Sequence, residues 1–476
     1  MAVETPLSTR EVPAPRGIVP VLATVGIGVA LMQTLIVPIL PRLPVLVGAT
    51  PDNTSWAVTA TLLAGAVVTP ISGRLGDMFG KRRMLLVSLS MMVLGSAVCA
   101  LSSTLVPLVL GRTLQGAAVG AIPLGIAILR DELPPRQLPS AMATISATMG
   151  VGGAIGLPVA AFVAQMTDWH MLFVASLLLG CVCIAAVLLI VPESPRRSPG
   201  RFDFAGALML SAALVLLLLP VTKGNEWGWT SPITLGMFAG AVVVFLGWGL
   251  YELRVERPLV DLRVSARRPV LTTNLASVAL GFAMYSNVLA FPQLLMAPPE
   301  TGYGFGQTMV AAGVALAPSG LVMMALSPVS ARITTRFGAR VTLACGAALV
   351  GLGYLTVYVL YQELWHIIGA SMLIGAGVGL AYAAMPALIM AAVPLRESAA
   401  ANSLNTLMRS IGTTSAAAVV GVMLAAMTQR IGDSVVPALE GFRASFLLAV
   451  GAAVVALVFT ALIPRPGPVN RRVGDA

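Results

Sequence analysis

The sequence predicts an all-α polytopic membrane protein, and its composition and apolar patterning carry that prediction. Of the 476 residues, 57% are hydrophobic and 10% are charged, whereas soluble domains contain about 25% charged residues. The mean hydropathy of +0.92 leaves too few polar groups to cover a soluble fold. Helices are favoured over a membrane barrel because the apolar stretches approach the roughly 20 residues of a spanning helix and lack alternating segments of about 10 residues.

Fourteen apolar stretches are predicted to cross the membrane as helices. Lipid cannot satisfy open backbone groups, so each stretch is expected to be helical throughout. The first stretch is too long for the core of a signal peptide and is followed by no convincing cleavage site. The predicted helices, numbered 1 to 14, span 18–40, 54–72, 84–102, 105–128, 140–164, 171–191, 204–220, 233–250, 271–296, 307–327, 341–361, 366–391, 403–427 and 442–463.

The distribution of basic residues orients these helices. The net charge of +10 would suggest a nucleic-acid partner in a soluble protein, but here it reflects topology. Segments on one predicted side hold 23 Lys and Arg residues and segments on the other side hold four. Because basic residues concentrate in cytoplasmic loops, both termini are predicted to be cytoplasmic and the protein to lie in the plasma membrane.

The chain contains an internal repeat. The segment RLGDMFGKR, residues 74–82, returns as RITTRFGAR, residues 332–340, at an offset of 258 residues. Each copy follows the second helix of a six-helix block, and related halves around a central site are a recurring transporter design. The predicted division is a cytoplasmic tail, a bundle, a linker with two extra helices, a second bundle and a tail, at residues 1–17, 18–191, 192–270, 271–463 and 464–476.

Four motifs carry a resemblance to a known family. They are Gly73-x-Leu75-x-Asp77-x-x-Gly80-Lys81-Arg82, Arg112-x-x-Gln115-Gly116, the linker PESPRRSPGRFDFAG at 192–206 and NTLMRSIGTT at 405–414. Together they resemble the major facilitator superfamily, specifically its fourteen-helix drug:proton antiporter branch. The resemblance implies the major facilitator fold, in which two six-helix bundles rock about a cavity at the membrane midplane.

Two positions depart from the pattern of that branch. Met32 stands on helix 1 where the branch usually has an acidic residue, which weakens the inference of proton coupling. On helix 5, Leu157 separates Gly156 from Pro158, whereas the antiporter motif has adjacent glycine and proline. The second departure weakens the inference of antiport slightly.

The predicted function is secondary active transport, namely export of small amphipathic drugs or toxic metabolites by alternating access, driven by the proton gradient. The alternatives are a proton-independent facilitator, an exporter of one anionic metabolite, or a non-transporting sensor or scaffold. An enzyme would need clusters of His, Asp or Glu for acid–base or metal chemistry, which the sequence lacks. It also lacks a Gly-x-x-x-x-Gly-Lys-Ser/Thr motif for ATP. The expected partners are a small-molecule substrate and lipids, with no nucleic acid, cofactor or metal, and the protein is expected to act as a monomer.

Arg112 is the most informative charged residue because it lies inside predicted helix 4. A central arginine costs about 2.5 kcal/mol or more in hydrocarbon, so its side chain should face a cavity or a partner. Gln115, three residues on, shares or flanks its face. Arg112 is either a cavity cation that attracts electronegative substrate groups or a structural arginine bonded to carbonyl groups and Gln115. No acidic residue lies in the middle of a predicted helix.

Other candidates are polar but uncharged. Gln33 on helix 1 and Tyr285, Asn287 and Gln293 on helix 9 either line a substrate path or form hydrogen bonds across helices. On helix 5, Gly152 and Gly156 allow close helix approach and Pro158 permits a bend. These three residues predict a tight seam between helices rather than a ligand site.

The charged segment between helices 2 and 3 is predicted to act as a gate. Gly73 and Gly80 permit a tight turn, and Lys81 and Arg82 are among the basic residues of the segment. Asp77 is placed to pair with an arginine or to cap a helix N-terminus. We expect Asp77 to latch the two bundles together while the cavity faces outward. The second copy of the repeat has Thr335 at this position, which predicts a latch on one side only.

Overall fold

The computed structural model describes residues 17–36, 39–40, 42–193, 200–256, 258–431 and 434–464. Within these ranges the chain is overwhelmingly helical, with one antiparallel hairpin formed by β1 (Thr428–Ile431) and β2 (Ser434–Pro437). Nearly all of both predicted tails, and part of the linker at 194–199, lie outside the described residues.

Each of the fourteen predicted spans overlaps a helix. Helix α4 contains a tighter turn at Ala118–Gly120, and α10 is interrupted at Leu326. The helices are α1 Ile18–Thr34, α2 Trp56–Phe79, α3 Lys81–Ala100, α4 Leu105–Glu132, α5 Leu138–Met166, α6 His170–Ile190, α7 Phe204–Trp227, α8 Pro232–Glu252, α9 Arg268–Met296, α10 Met309–Phe337, α11 Ala339–Val359, α12 Leu364–Ala392, α13 Ser398–Ala426 and α14 Leu439–Leu462.

Twelve of the described helices are long and apolar enough to cross a membrane, namely α2 to α4 and α6 to α14. The other two are α1, which is apolar but has 17 residues, and α5, which has 29. Fourteen spans therefore remains a prediction, while a polytopic helical membrane fold is established. Short helices at Leu43–Val47, Pro51–Thr54 and Leu262–Ser265 lie in the connections.

The helices form two bundles, each with its own buried core. The N-terminal bundle comprises α1 to α6 and buries an aliphatic cluster that includes Leu89, Met92 and Leu124. The C-terminal bundle comprises α9 to α14, and its core contains edge-to-face rings: the centroid of Phe291 lies 5.6 Å from that of Phe446 and 6.2 Å from that of Tyr354. Such ring pairs add about 0.5–1.5 kcal/mol each beyond area burial.

The internal repeat corresponds to equivalent turns in the two bundles. Gly80 and Gly338, which separate the second and third helices of their bundles, have φ values of 113° and 88°, which glycine adopts without a steric penalty. Two residues after Gly80, Arg82 Nη2 donates to the Leu188 carbonyl at 2.6 Å; two after Gly338, Arg340 Nη2 donates to the Ala461 carbonyl at 2.7 Å. Each arginine thus caps the negative end of the last helix in its bundle.

The extra pair, α7 and α8, packs over the seam between the two bundles. Leu210 and Leu214 of α7 belong to the same buried cluster as Ala66 of α2 and Leu404 and Leu407 of α13. The pair therefore contacts one helix from each bundle.

The connections that follow the even-numbered helices, such as the turn at Gly80 between α2 and α3, all lie at one end of the molecule. We call this end the basic end.

A polar clamp ties α7 to α2 at the opposite end. The buried Lys223 Nζ lies 2.7 Å from Glu226 Oε2 and 5.0 Å from the centroid of the Trp56 ring. It also donates to Ser55 Oγ, which in turn donates to Glu226 Oε1 at 2.9 Å. The clamp satisfies an ammonium group that is only 1% exposed.

We predict that Glu226→Gln destabilises the protein by about 1–2 kcal/mol because the buried ammonium loses its ionised acceptor. A lower melting temperature of the purified protein would show this. Glu300→Gln, on an exposed loop, is the matched control, and the double variant Lys223→Met/Glu226→Leu should recover most of the loss. A melting temperature unchanged by Glu226→Gln would contradict the clamp.

Candidate functional site

Asp77 joins the two bundles at the basic end. Its carboxylate accepts the backbone N–H groups of Ala399 at 3.2 Å and Ala400 at 2.9 Å, in the first turn of α13. These N–H groups have no partner within their own helix, and the helix N-terminus carries partial positive charge. The Asp77 side chain is fully buried, so an aspartate of the N-terminal bundle caps a helix of the C-terminal bundle.

The placement of Asp77 corrects one boundary. The sequence predicts that helix 2 ends near residue 72 and that Asp77 lies in the following turn, but α2 continues to Phe79 and only Gly80 separates it from α3. The helix extends this far because α13 and Lys81, whose Nζ lies 3.8 Å from Asp77 Oδ1, satisfy the buried carboxylate. The turn is one glycine long.

Lys81 links three helices at the same point. Its fully buried ammonium group donates to Asp131 Oδ2 on α4 at 2.6 Å and to Ser398 Oγ at the start of α13 at 3.0 Å. Asp131 thus holds Lys81 within the N-terminal bundle, while Ser398 holds it to the other bundle. Sequence reasoning did not single out Asp131 or Ser398.

Arg130 makes a complementary contact with the preceding helix of the C-terminal bundle. Its Nη2 donates to the carbonyl oxygens of Val393, at 2.9 Å, and Met390, at the end of α12. The C-terminal end of a helix is partially negative. A cation therefore contacts the end of α12 and an anion the start of α13, across the loop that joins them. Sequence reasoning also missed Arg130.

Gly73 allows α2 to approach α13 closely enough for these contacts. A Cβ atom at this position would lie 2.2 Å from Ser403 Oγ and 2.8 Å from the Ala399 carbonyl oxygen. Real Cβ atoms do not approach so closely, so a larger residue would separate the helices. One turn deeper than Asp77, Gly73 fixes the spacing of the seam.

Arg112 is held inside the N-terminal bundle. Its Nη1 donates to Gln115 Oε1 at 2.7 Å and to the Met32 carbonyl at 3.1 Å, and its Nε donates to the Ala57 carbonyl at 3.2 Å. The residue is 1% exposed. Among the described residues, no carboxylate lies within ion-pair distance of it.

Gln115 extends this network into the bundle. Its Nε2 donates to Ser96 Oγ at 2.8 Å, and Ser96 donates to Ser176 at 3.1 Å, so α3, α4 and α6 are joined. This geometry matches the structural alternative for Arg112, in which carbonyl groups and Gln115 satisfy the guanidinium. The carbonyl of Met32, at the position where the antiporter branch has an acid, takes part of that role.

The remaining predicted polar residues do not share one surface. At 100° per residue, Tyr285 and Gln293 lie about 80° apart on one side of α9 and Asn287 lies on the opposite side, and all three are half-buried. Asn287 has a buried Oδ1 atom with no hydrogen-bond partner among the described residues. Gln33 is half-buried on α1. A lining role for each of these residues stays a prediction.

The small residues of α5 lie against α1. A Cβ atom on Gly152 would lie 2.3 Å from Ala30 Cβ, and one on Gly156 would lie 2.2 Å from Thr34 Oγ1. Pro158 is a half-buried residue inside the same helix. These positions bring α1 and α5 together within one bundle, and they take no part in the contacts of Asp77 with α13.

A second buried arginine lies in the C-terminal bundle. The Arg409 guanidinium carbon lies 4.5 Å from the centroid of the Tyr382 ring, a geometry in which the ring face attracts the cation. The Tyr382 carbonyl accepts a hydrogen bond from Ser146 of α5 at 2.9 Å, so the pair adjoins the seam. The charge of Arg409 inside a predicted helix was the signal that could have identified it.

Known proteins share this architecture of two bundles. The family model of the Major Facilitator Superfamily matches residues 22–251 and 271–476. The chain belongs to the major facilitator superfamily. Residues 252–270, which the family model does not match, include the connection between α8 and α9. Membership confirms the resemblance carried by the motifs and makes the chain a membrane transporter of small molecules rather than an enzyme.

Named relatives cover most of the chain at low identity. The tetracenomycin C resistance and export protein of Streptomyces glaucescens is 28% identical over 427 residues, which are 87% of this chain and 77% of that protein. The probable actinorhodin transporter of Streptomyces coelicolor is 27% identical over 77% of this chain and 65% of that protein. Multidrug resistance protein 3 of Bacillus subtilis is 24% identical over 80% of this chain and 75% of that protein.

A solved structure shares the fold. The human organic anion transporter MFSD10 (TETRAN) superposes with a TM-score of 0.66 at 16% identity, covering 94% of this chain and 99% of that one. At this identity the likeness supports the architecture of two bundles and nothing about substrate.

We predict that Arg112→Lys destabilises the protein by about 2 kcal/mol or more, because one ammonium group cannot reach all the acceptors that the planar guanidinium joins. Thermal unfolding of the purified variant measures this. Arg430→Lys, on the exposed hairpin, is the control. Native stability of Arg112→Lys would mean that charge alone is required at this position and would favour the cavity-cation role.

Proposed function

We propose that this transporter exports small amphipathic compounds, such as antibiotics or toxic metabolites, in exchange for protons. The observation that carries the proposal is the seam at the basic end, where the bundles meet through separable polar contacts. The names of three relatives from two bacterial genera mention antibiotic or multidrug resistance, export or transport, which favours this substrate class over a nutrient.

The contacts of Asp77 with α13 and of Arg130 with the end of α12, together called the latch, are weak enough to break and re-form. A charge at a helix terminus contributes about 0.3–2 kcal/mol, so Asp77 and Arg130 stabilise the closed seam without making it permanent. When the seam opens, water can satisfy the carboxylate, the guanidinium and the helix ends that they leave. Gly73 allows the same surfaces to dock again.

The direction of opening is set by topology. The bias of 23 basic residues against four supports a cytoplasmic basic end, with both termini on the same side, in a plasma-membrane protein. Because the seam is closed at this end, we infer that the substrate cavity faces outward in this conformation. We propose that the transporter acts as a monomer surrounded by lipid, with the proton gradient as its energy source.

One observation favours a second candidate, an exporter of a single anionic metabolite that uses no protons. Two buried arginines, Arg112 and Arg409, bring positive charge into the bundles, and Arg409 lies beside the seam over Tyr382. A cation there would attract an anionic or strongly electronegative group.

Flux measurements in proteoliposomes separate these functions. With a panel of cationic and anionic dyes and an imposed pH gradient, we expect transport of several amphipathic dyes and a rate that rises with the gradient. Transport of anionic dyes alone, indifferent to the gradient, would support the second candidate. Absence of flux for every dye, with folded protein in the vesicles, would contradict both.

We predict that Asp77→Asn lowers transport about tenfold, because loss of roughly 1.4 kcal/mol at the helix terminus shifts the equilibrium away from the closed seam. Substrate affinity should change little. Spin labels at the exposed positions Phe79 and Leu395, with Cys181 and Cys345 replaced by serine, should show a longer average distance across the basic end.

The repeat supplies the matched control for this variant. Thr335 occupies the equivalent position, is exposed, and bonds within its own helix to the Arg332 carbonyl, so Thr335→Ala should leave rate and distance unchanged. A large loss of substrate affinity in Asp77→Asn, with the distance unaltered, would assign Asp77 to binding rather than gating.

A further inference from the structure

Two acidic residues meet where the extra helix pair reaches the basic end. Asp203 precedes α7, and its Oδ1 atom accepts hydrogen bonds from the Gly206 N–H at 2.8 Å and the Tyr251 hydroxyl at 3.0 Å. Glu252 ends α8, and its Oε1 atom accepts the Val260 N–H at 2.6 Å. One oxygen of each carboxyl group is thus satisfied.

The other two oxygens face a common space. Asp203 Oδ2 and Glu252 Oε2 are buried and have no hydrogen-bond partner among the described residues. A Cβ atom on Gly206 would lie 2.2 Å from the first and 2.8 Å from the second, so the two oxygens are at most 5.0 Å apart. Glu252 as a whole is only 2% exposed.

Among the described residues, no cation lies within ion-pair distance of either carboxylate to balance two negative charges. Asp203 and Glu252 form no ion pair among the described residues, and the neighbouring ionisable group is the Tyr251 hydroxyl. In the following linker, Arg254 and Glu256 are exposed, and Asp261 caps the helix Leu262–Ser265. Arg263 donates to the Leu253 carbonyl, and the α2 and α13 residues of the adjoining cluster are apolar.

A shared proton satisfies this arrangement. If both carboxyl groups were ionised, two hydrogen-bond acceptors, Asp203 Oδ2 and Glu252 Oε2, would face each other with no proton between them. Two close carboxyl groups in a low-dielectric environment do not both ionise. If one group carries a proton, its O–H can donate to the other, and both orphan oxygens are then paired. A metal cation would need further oxygen ligands, and Asp203 Oδ2 and Glu252 Oε2 are the carboxylate oxygens left without a partner here.

We propose that Asp203 and Glu252 together bind one proton between Oδ2 and Oε2, and that this proton holds the linker after α8 against the seam. Glu252 anchors Val260, and Leu259 and Val260 belong to the same buried cluster as Leu404 and Leu407 of α13. Release of the proton leaves two adjacent negative charges, whose repulsion loosens the anchor.

The site lies at the edge of the seam and outside both bundles. Leu404 comes after the first turn of α13, where Asp77 makes its contact. Proton occupancy therefore acts on the helix that the latch holds. The proton site is inferred from geometry alone and does not depend on the proposed export of amphipathic compounds.

Infrared difference spectroscopy of the purified full-length protein tests proton binding. On raising the pH, the native protein should lose a carboxylic-acid C=O band that Glu252→Gln and Asp203→Asn both lack and that the linker control Glu256→Gln retains. The amide of Glu252→Gln can accept from Val260 and donate to Asp203, so the fold is preserved. A band identical in native protein and both variants would overturn the proposal.

Hydrogen exchange at the Val260 amide tests the anchor. After correction for the intrinsic pH dependence of exchange, protection should fall about tenfold as the native pair loses its proton, because the two adjacent negative charges then weaken the anchor. Protection should not vary with pH in Glu252→Gln. Constant protection in the native protein would refute the anchor. Neither measurement involves substrate flux, so both remain decisive even if export is disproved.

Discussion

Helix termini are the partners of the charges through which the two bundles meet, and the arrangement of the bundles depends on that interaction. Asp77 accepts N–H groups at the start of α13, and Arg130 donates to carbonyl groups at the end of α12. Arg82 and Arg340 cap the last helices of their bundles. Because only 10% of its residues are charged, the chain has few oppositely charged side chains available as partners. Every helix, in contrast, has backbone N–H groups at its start and C=O groups at its end without a partner within the helix.

Because Asp77 and Arg130 contact helix termini rather than oppositely charged side chains, these contacts can break at a smaller cost in free energy. Separating a buried ion pair leaves an uncompensated charge in low dielectric, which costs about 3–5 kcal/mol. Separating a charge from a helix terminus at the membrane surface exposes both to water, so the cost is smaller. Arg112 shows the contrasting case: its carbonyl acceptors lie within one bundle, and nothing in a rocking motion would release it.

Sequence reasoning located the helices and singled out Asp77 because their signals are local. Fourteen apolar stretches and a basic bias are visible in short windows, and the repeat marks equivalent turns. The partners of the charges could not be predicted in this way. Asp203 and Glu252 are 49 positions apart and meet only because α7 and α8 pair antiparallel. Asp77 and Ala399 meet only because Gly73 lets two helices from different bundles touch. The end of α2 was misplaced since a buried aspartate resembles a loop residue until its partners are known.

The missing acid on helix 1 changes where proton chemistry can occur. Met32 offers only its carbonyl to Arg112, so that position cannot carry a proton, and the buried carboxyl groups of Asp77, Asp203 and Glu252 lie towards the basic end. Asp77 is committed to α13 and balanced by Lys81. Asp203 and Glu252, in contrast, face each other with no cation of the described part of the chain in ion-pair contact. Their cluster extends onto α13, whose first turn Asp77 caps. A proton there would act on the closing of the seam from outside both bundles, so under the proposed exchange of compounds for protons the extra helix pair would take part in the coupling.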